Sequence, residues 1–356
     1  MSIYDDTFNT GARRLFPSRL FPAVARSREE IDALSGLACL GVVLFHATAA
    51  GPQLAGDHWV PVINASLSHI RMPLFAFVSG YAFRSVAISA AEGSLRAAVL
   101  GRAGALLIPL ATLGTLLWLL RGGVGPAWPG VLLLPYAHFW FLQALFLIMG
   151  SVLVLARVLG GRHDVAALLL GVGSALVWTG ALGVPDVTLF AFAQAVLLAV
   201  FFCTGLLFAG GMHPPVRRTS RSPAAARLRL AGAVALAVSL NAATVLALAP
   251  ALTLPALHNT LSLCIGLLGV VGLFLLRPRV GWLTGLGRHA FAIYLLHPFF
   301  LVGAALAVRA GLPGLSPELW LAVTLPAGIA GPILADRVLR RLPILRTLLL
   351  GSRPGS

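Results

Sequence analysis

The stretch Ile31–His46, IDALSGLACLGVVLFH, begins the first long apolar run of the chain and decides how the rest is read. An acid at its start and an imidazole near its end are out of place in a segment otherwise suited to lipid. Asp32, Ser35, Cys39, Val42 and His46 recur at spacings of three and four, so these positions share one stripe of a helix. Eleven residues separate Ser35 from His46, about 16 Å along a helix rising 1.5 Å per residue.

The bias of that stretch is the bias of the whole chain. Of 356 residues, 58% are hydrophobic and only 10% charged, with a mean hydropathy of +0.92. A soluble core does not need so much apolar surface, and the composition belongs to the membrane class. Windows of about 20 residues with flanking charges as boundaries predict ten spans, near 32–50, 69–90, 98–120, 138–159, 164–182, 189–210, 228–250, 258–277, 289–310 and 318–339. The expected fold is an all-α membrane protein with about ten transmembrane helices in one bundle. Residues 1–31 read as a basic arm that lies on anionic lipid, 32–341 as the bundle and 342–356 as a short basic tail. No connecting loop, the longest being roughly 211–227, is long enough for a separate soluble domain, so any chemistry falls to the bundle.

Charge sets the expected orientation. The formal net charge is +15, and all 26 basic residues are Arg. They cluster by loop and not along a face, which argues against a nucleic-acid partner. With a cytoplasmic N-terminus, every Arg except Arg71, Arg121 and Arg309 falls on the cytoplasmic side, as the positive-inside rule requires of ten spans with both termini inside. The expected location is a multi-pass protein of the cell inner (plasma) membrane. Cys39, Cys203 and Cys264 each fall within a span and read as core fillers, not as a disulfide framework or metal cluster.

Polar side chains inside spans are costly and mark an interior face or a water-filled cavity. His46 suits a general base, because imidazole gains and loses a proton near neutrality; the alternative is a neutral core histidine bonded to a neighbouring span. Arg71 stands at the expected outer end of span 2, with Pro73 in its first turn, and either snorkels to head groups or anchors an anionic or polar substrate. His138-Phe-Trp140-Phe-Leu-Gln143 reads as an aromatic interface belt with a polar tip. His297 precedes Pro298, which kinks a helix and frees a carbonyl nearby. Gly266, Gly269 and Gly272 line one side of span 8 and imply close helix packing. Gly285-Leu-Gly287-Arg-His-Ala290 imitates a dinucleotide fingerprint, but no strand precedes it, so it is expected to be a loop before span 9. The chain carries no His-Glu-x-x-His, Gly-x-Ser-x-Gly, P-loop or Cys-x-x-Cys motif.

Four segments together, IDALSGLACLGVVLFH (31–46), MPLFAFVSGYAF (72–83), HFWFLQALF (138–146) and GRHAFAIYLLHPFF (287–300), with ALLIPL (105–110) in support, resemble membrane-bound acyltransferase family 3. The resemblance runs the length of the chain. It implies a polytopic O-acyltransferase acting on a sugar or polysaccharide, with acyl-CoA, acetyl-CoA foremost, as co-substrate and with no bound cofactor or metal. Members of the family typically place an Arg eleven positions before the first-span His, at the donor site; here that position is Ser35. The resemblance therefore assigns His46 and Asp32 to catalysis, with His46 as general base or transient acyl carrier and Asp32 orienting water or balancing donor charge. Ser35, Arg84 and Arg102 are assigned to the donor entrance, and Arg71, His138, Trp140 and His297 to the acceptor side. The implied partners are the acyl-CoA donor, a carbohydrate or lipid-linked glycan acceptor and membrane lipid. Two readings of other classes stand beside this one. Loss of the usual Arg at Ser35 fits a non-catalytic transporter or flippase for a lipid-linked or exported saccharide, and a scaffold subunit would be insensitive to every polar residue named.

Overall fold

The computed structural model describes residues 28–52, 58–210, 223–248, 255–311 and 314–351. All but a few residues of the expected arm, and the Arg cluster at 217–221, lie outside the described residues. Among the described residues the secondary structure is helical. The helices are α1 (Arg28–Ala49), α2 (Trp59–Glu92), α3 (Leu95–Leu120), the single turn α4 (Gly130–Leu133), α5 (Trp140–Val158), α6 (His163–Trp178) and α7 (Phe192–Gly210). They continue as α8 (Pro223–Leu248), α9 (Pro255–Leu276), α10 (Gly281–Gly287), α11 (Ala290–Gly311), α12 (Pro317–Leu339) and α13 (Pro343–Leu350).

Among the described residues, nine helical stretches are long and apolar enough to cross a membrane. The tenth expected span is α6, apolar but only 16 residues long, about 24 Å at helical rise. In lipid a helix is the only open-chain element that satisfies its own backbone, so the apolar runs of this sequence have no other stable form. Where a run begins, a polar side chain accepts from an otherwise orphan amide: Ser94 from Ala97 and Ser316 from Leu319, the latter followed by Pro317 in the first turn.

Lipid supplies no hydrophobic push between helices, so close packing has to hold them together. α2 and α7 meet through reciprocal glycines, Gly80 against the Phe202 carbonyl and Gly205 against the Phe77 carbonyl, where any Cβ would collide with backbone. On α9, Gly266 and Gly269 approach His69 and Ile70 of α2, and Gly272 approaches the α8 backbone, as their one-sided spacing implied. Phe77, Phe208 and Phe274 close the gap between α2, α7 and α9, with ring centroids 5.2 to 5.8 Å apart. Cys39 and Cys203 are buried fillers, whereas Cys264 is exposed on α9.

Charges pin helix ends. Glu30, fully buried in the first turn of α1, accepts from Arg277 Nε at 3.1 Å and from Arg279 Nε at 2.8 Å, tying α1 to the segment that leaves α9. Asp336 of α12 joins His289 Nδ1 at 2.5 Å and Arg340 Nη2 at 2.8 Å. Arg84 of α2 makes a two-pronged ion pair with Asp164 of α6.

Two further expectations, on the start of α2 and on the glycine-rich segment, differ from what is observed. α2 starts at Trp59, ten residues earlier than the hydropathy run, so Pro73 and Arg71 lie well inside the helix and not in its first turn or at its outer end. The early residues Asn64, Ser66 and Ser68 mask the helix in a hydropathy profile; their side chains bond to Thr48, to the Val62 carbonyl and to the Ala65 carbonyl. The glycine-rich segment before α11 is not a loop: α10 is a two-turn helix laid against α1, where Gly36 meets the Leu283 carbonyl and Gly287 the Asp32 carbonyl. Within the expected tail, α13 is a helix seated on α3, with Thr112 Oγ1 donating to the Leu348 carbonyl at 2.5 Å and Leu350 buried.

Candidate functional site

The polar stripe of α1 faces α10 and α11. Its lower part lies against α10 at Gly287. Cys39 Sγ donates to the Ala290 carbonyl at 3.4 Å, at the first residue of α11. Seven residues further along both helices, two turns in each, the His46 ring lies 5.0 Å from the His297 ring, centroid to centroid. α1 and α11 therefore run parallel, and their common register brings the two imidazoles side by side.

A third imidazole completes the cluster. His138 sits in the tight turn Ala137–Phe139 that leads into α5, with its ring 5.1 Å from His297 and 6.2 Å from His46. Ala137 just before it adopts φ +46°, a left-handed conformation that costs an alanine about 1–2 kcal/mol. Two side chains hold the strained turn and the segment that leads into it. The Tyr294 hydroxyl of α11 donates to the His138 carbonyl, and the wholly buried Gln143 donates to the carbonyls of Leu132 and Leu134 at 2.9 and 3.3 Å. His297 is fully buried, His138 nearly so, and His46 is the one partly open to solvent. Among the described residues, Nε2 of His138 and Nε2 of His297 find no protein hydrogen-bond partner. Buried polar atoms are rarely left unmatched, and each that is calls for a reason, a catalytic role, a bound water or local strain.

The three Arg that fall apart from the rest in sequence all lie near this end of α1. The Arg71 guanidinium stacks 4.0 Å over the Phe45 ring, next to His46, and donates to the Asn64 carbonyl at 3.2 Å. Arg121 lies 6.0 Å from the Tyr136 ring, two residues before His138. Arg309 lies 5.7 Å from the Trp320 ring and donates to the Ala50 carbonyl at 3.1 Å. Arg309 and Trp320 also line a cavity of about 260 Å³ just past the last turn of α1. Of the three, Arg71 is the half-buried one and sits closest to its ring, a contact that steadies a charge where water is scarce; Arg121 and Arg309 are exposed.

The remaining predicted residues are spread more widely. Asp32 stands fourteen residues from His46, about 21 Å along the same helix, and the charges acting on it are Arg28, Glu29 and Arg288. Ser35 Oγ donates to the Ile31 carbonyl of its own helix at 2.9 Å. Arg84 is engaged with Asp164, away from α1, and Arg102 is half-buried two turns into α3. Trp140 is half-buried at the start of α5, with its ring against Phe141. Thus His46, His138 and His297 come together with Arg71 beside them; Asp32 and Ser35 mark the opposite end of the stripe. Tyr294 had no assigned role in the sequence. Its place three residues before His297, on the same helix face in an aliphatic run, is the signal that would have found it.

Chemically, the cluster offers imidazole nitrogens able to take and return a proton, next to a fixed positive charge for a developing oxyanion. Among the described residues, no three His, Cys, Asp or Glu are arranged to hold a metal ion.

No curated protein and no solved structure matches this chain significantly. The family model described as an acyltransferase domain matches residues 28–337. This match spans α1 to α12, from the helix that carries His46 through those that carry His138 and His297. The chain is a multi-pass membrane protein and belongs to acyltransferase family 3.

Proposed function

We propose that this acyltransferase is an O-acetyltransferase that moves an acetyl group from acetyl-CoA to a hydroxyl of a carbohydrate or lipid-linked glycan. The observation that carries the reading is the convergence of His46, His138 and His297, with ring centroids 5.0 to 6.2 Å apart, beside Arg71. His46, the least buried of the three, is the general base: it removes the acceptor proton as the oxygen attacks the thioester and returns it to the departing sulfur. Arg71 stabilises the tetrahedral oxyanion. The donor enters along the α1 stripe from the Asp32 and Ser35 end, and the roughly 16 Å to His46 is the length that a pantetheine arm spans. The arginine-rich end of the bundle lies in the cytoplasm, with both termini, and the protein resides in the inner membrane.

The test is incorporation of radiolabelled acetyl from acetyl-CoA into membrane glycans by wild type, His46→Ala and Ser35→Arg. Incorporation that disappears with His46→Ala supports the enzyme. Saccharide movement across vesicles that survives His46→Ala, without incorporation, establishes a transporter instead.

A further inference from the structure

We propose that His297 is the positioning residue of His46, and that the neighbouring Pro298 locks it in the one tautomer able to serve. The inference rests on the acyltransferase reading above and adds to it a role for two further residues.

In an α-helix the amide of residue 298 would donate to the carbonyl of residue 294. Proline has no amide hydrogen, so the Tyr294 carbonyl loses its helical donor. His297 supplies the substitute: its Nδ1 lies 2.9 Å from the Tyr294 carbonyl oxygen and 2.9 Å from that of Ile293. A nitrogen held between two carbonyl oxygens has to be the donor, because two facing lone pairs repel. A neutral imidazole carries one N–H, so the hydrogen of His297 is committed to Nδ1 and its lone pair to Nε2. That Nε2 is buried and meets no protein partner among the described residues. The groups around it are His46 from α1, His138 from the turn before α5 and Tyr294 from its own helix. Arg71 and Arg121 act on His46 from outside that ring.

A base that takes a proton on one nitrogen needs an acceptor for the N–H on the other. Among the described residues no carboxylate fills that place, and Asp32 lies at the far end of α1. His297 Nε2 does so. Its ring is near enough that rotation of the less buried His46 ring brings the two nitrogens into hydrogen-bond range. In the transfer step the acceptor O–H bond breaks and its proton goes to His46; the oxygen bonds to the acyl carbon, the C–S bond breaks, and His46 returns the proton to the thiolate. Throughout, His297 accepts a hydrogen bond from His46 and keeps its own single proton on Nδ1.

The lock separates activity from stability. Pro298→Ala restores an amide that competes for the Tyr294 carbonyl, so it frees the His297 tautomer while mending the helix. In full-length protein in nanodiscs, with radiolabelled acetyl-CoA and membrane glycolipid as probes, Pro298→Ala is expected to raise or preserve the unfolding temperature. It lowers kcat about tenfold, the scale of one hydrogen bond to a charged group, and leaves KM for acetyl-CoA unchanged. His297→Gln lowers kcat at least as far, and the double variant is no worse than His297→Gln alone, because the proline acts only through the histidine. Wild-type kcat in Pro298→Ala, or additive losses in the double variant, overturns the inference and leaves the acetyltransferase standing. Absence of transfer by the wild type overturns the reading beneath it and this inference with it.

Discussion

In its first turn α1 carries Glu30, wholly buried, with Arg277 and Arg279 closed on it; in its last turn it carries His46, partly open, beside two imidazoles whose Nε2 atoms meet no protein partner among the described residues. One helix thus treats buried polarity in two ways. Where each charge has a partner with good geometry, the polar group serves the fold, fixing where α1 sits against the end of α9. Where ring nitrogens are left unmatched in a dense interior, the polar groups are the ones to which the proposed function gives the chemistry. Arg84 with Asp164 belongs to the first kind, and that is why its assignment to a donor site draws no support from its surroundings.

Four variants probe this contrast. His46→Ala is expected to have the largest effect, a loss of transfer of roughly 10²–10⁴-fold with an unchanged unfolding temperature; a comparable fall in both would mean that the residue is structural. Glu30→Ala reverses the pattern. It removes the hydrogen bonds from Arg277 and Arg279, both reached by water, and costs about 1.5–3 kcal/mol of stability, read by thermal unfolding in detergent, while the rate per folded molecule stays near wild type. Tyr294→Phe lies between the two. It removes the hydroxyl that holds the strained His138 turn, costing about 1–2 kcal/mol and lowering kcat several-fold. The smallest effect is expected from Ser35→Arg, whose native hydroxyl bonds only within its own helix. A new cation there lowers KM for acyl-CoA a few-fold if the donor passes that way, and titration of acyl-CoA under steady-state conditions reads it directly.

Much of this architecture was legible in the sequence. Apolar runs of about twenty residues are hard to miss, and nine of the ten expected spans are occupied by long helices. The three-four spacing of Asp32, Ser35, Cys39, Val42 and His46 predicts one face, and that face lies along α10 and α11. What stayed hidden had no periodic or hydropathic mark. The first ten residues of α2 are too polar for a lipid window, and Asn64 and Ser66 there find their partners, Thr48 and Thr244, only in the fold. α10 is two turns long, with glycines that read as a loop until the α1 backbone is laid against them. The pairing of Glu30 with Arg277 and Arg279 joins positions almost 250 residues apart, and no local pattern announces such a contact. The role of Tyr294 depends on a turn 156 residues away.

The close seam between α1 and α10 has a consequence for protein engineering. Exchanging glycine for alanine inside helices is a standard route to a tougher protein, since it trims the freedom of the unfolded chain. At Gly36 and Gly287 the added methyl would act as a wedge, prising the two helices apart and spoiling the parallel alignment that sets His46 beside His297. A hardening campaign on this protein should therefore spare those two sites and spend its alanines at helical glycines with open space around them, such as Gly101, Gly150 and Gly303.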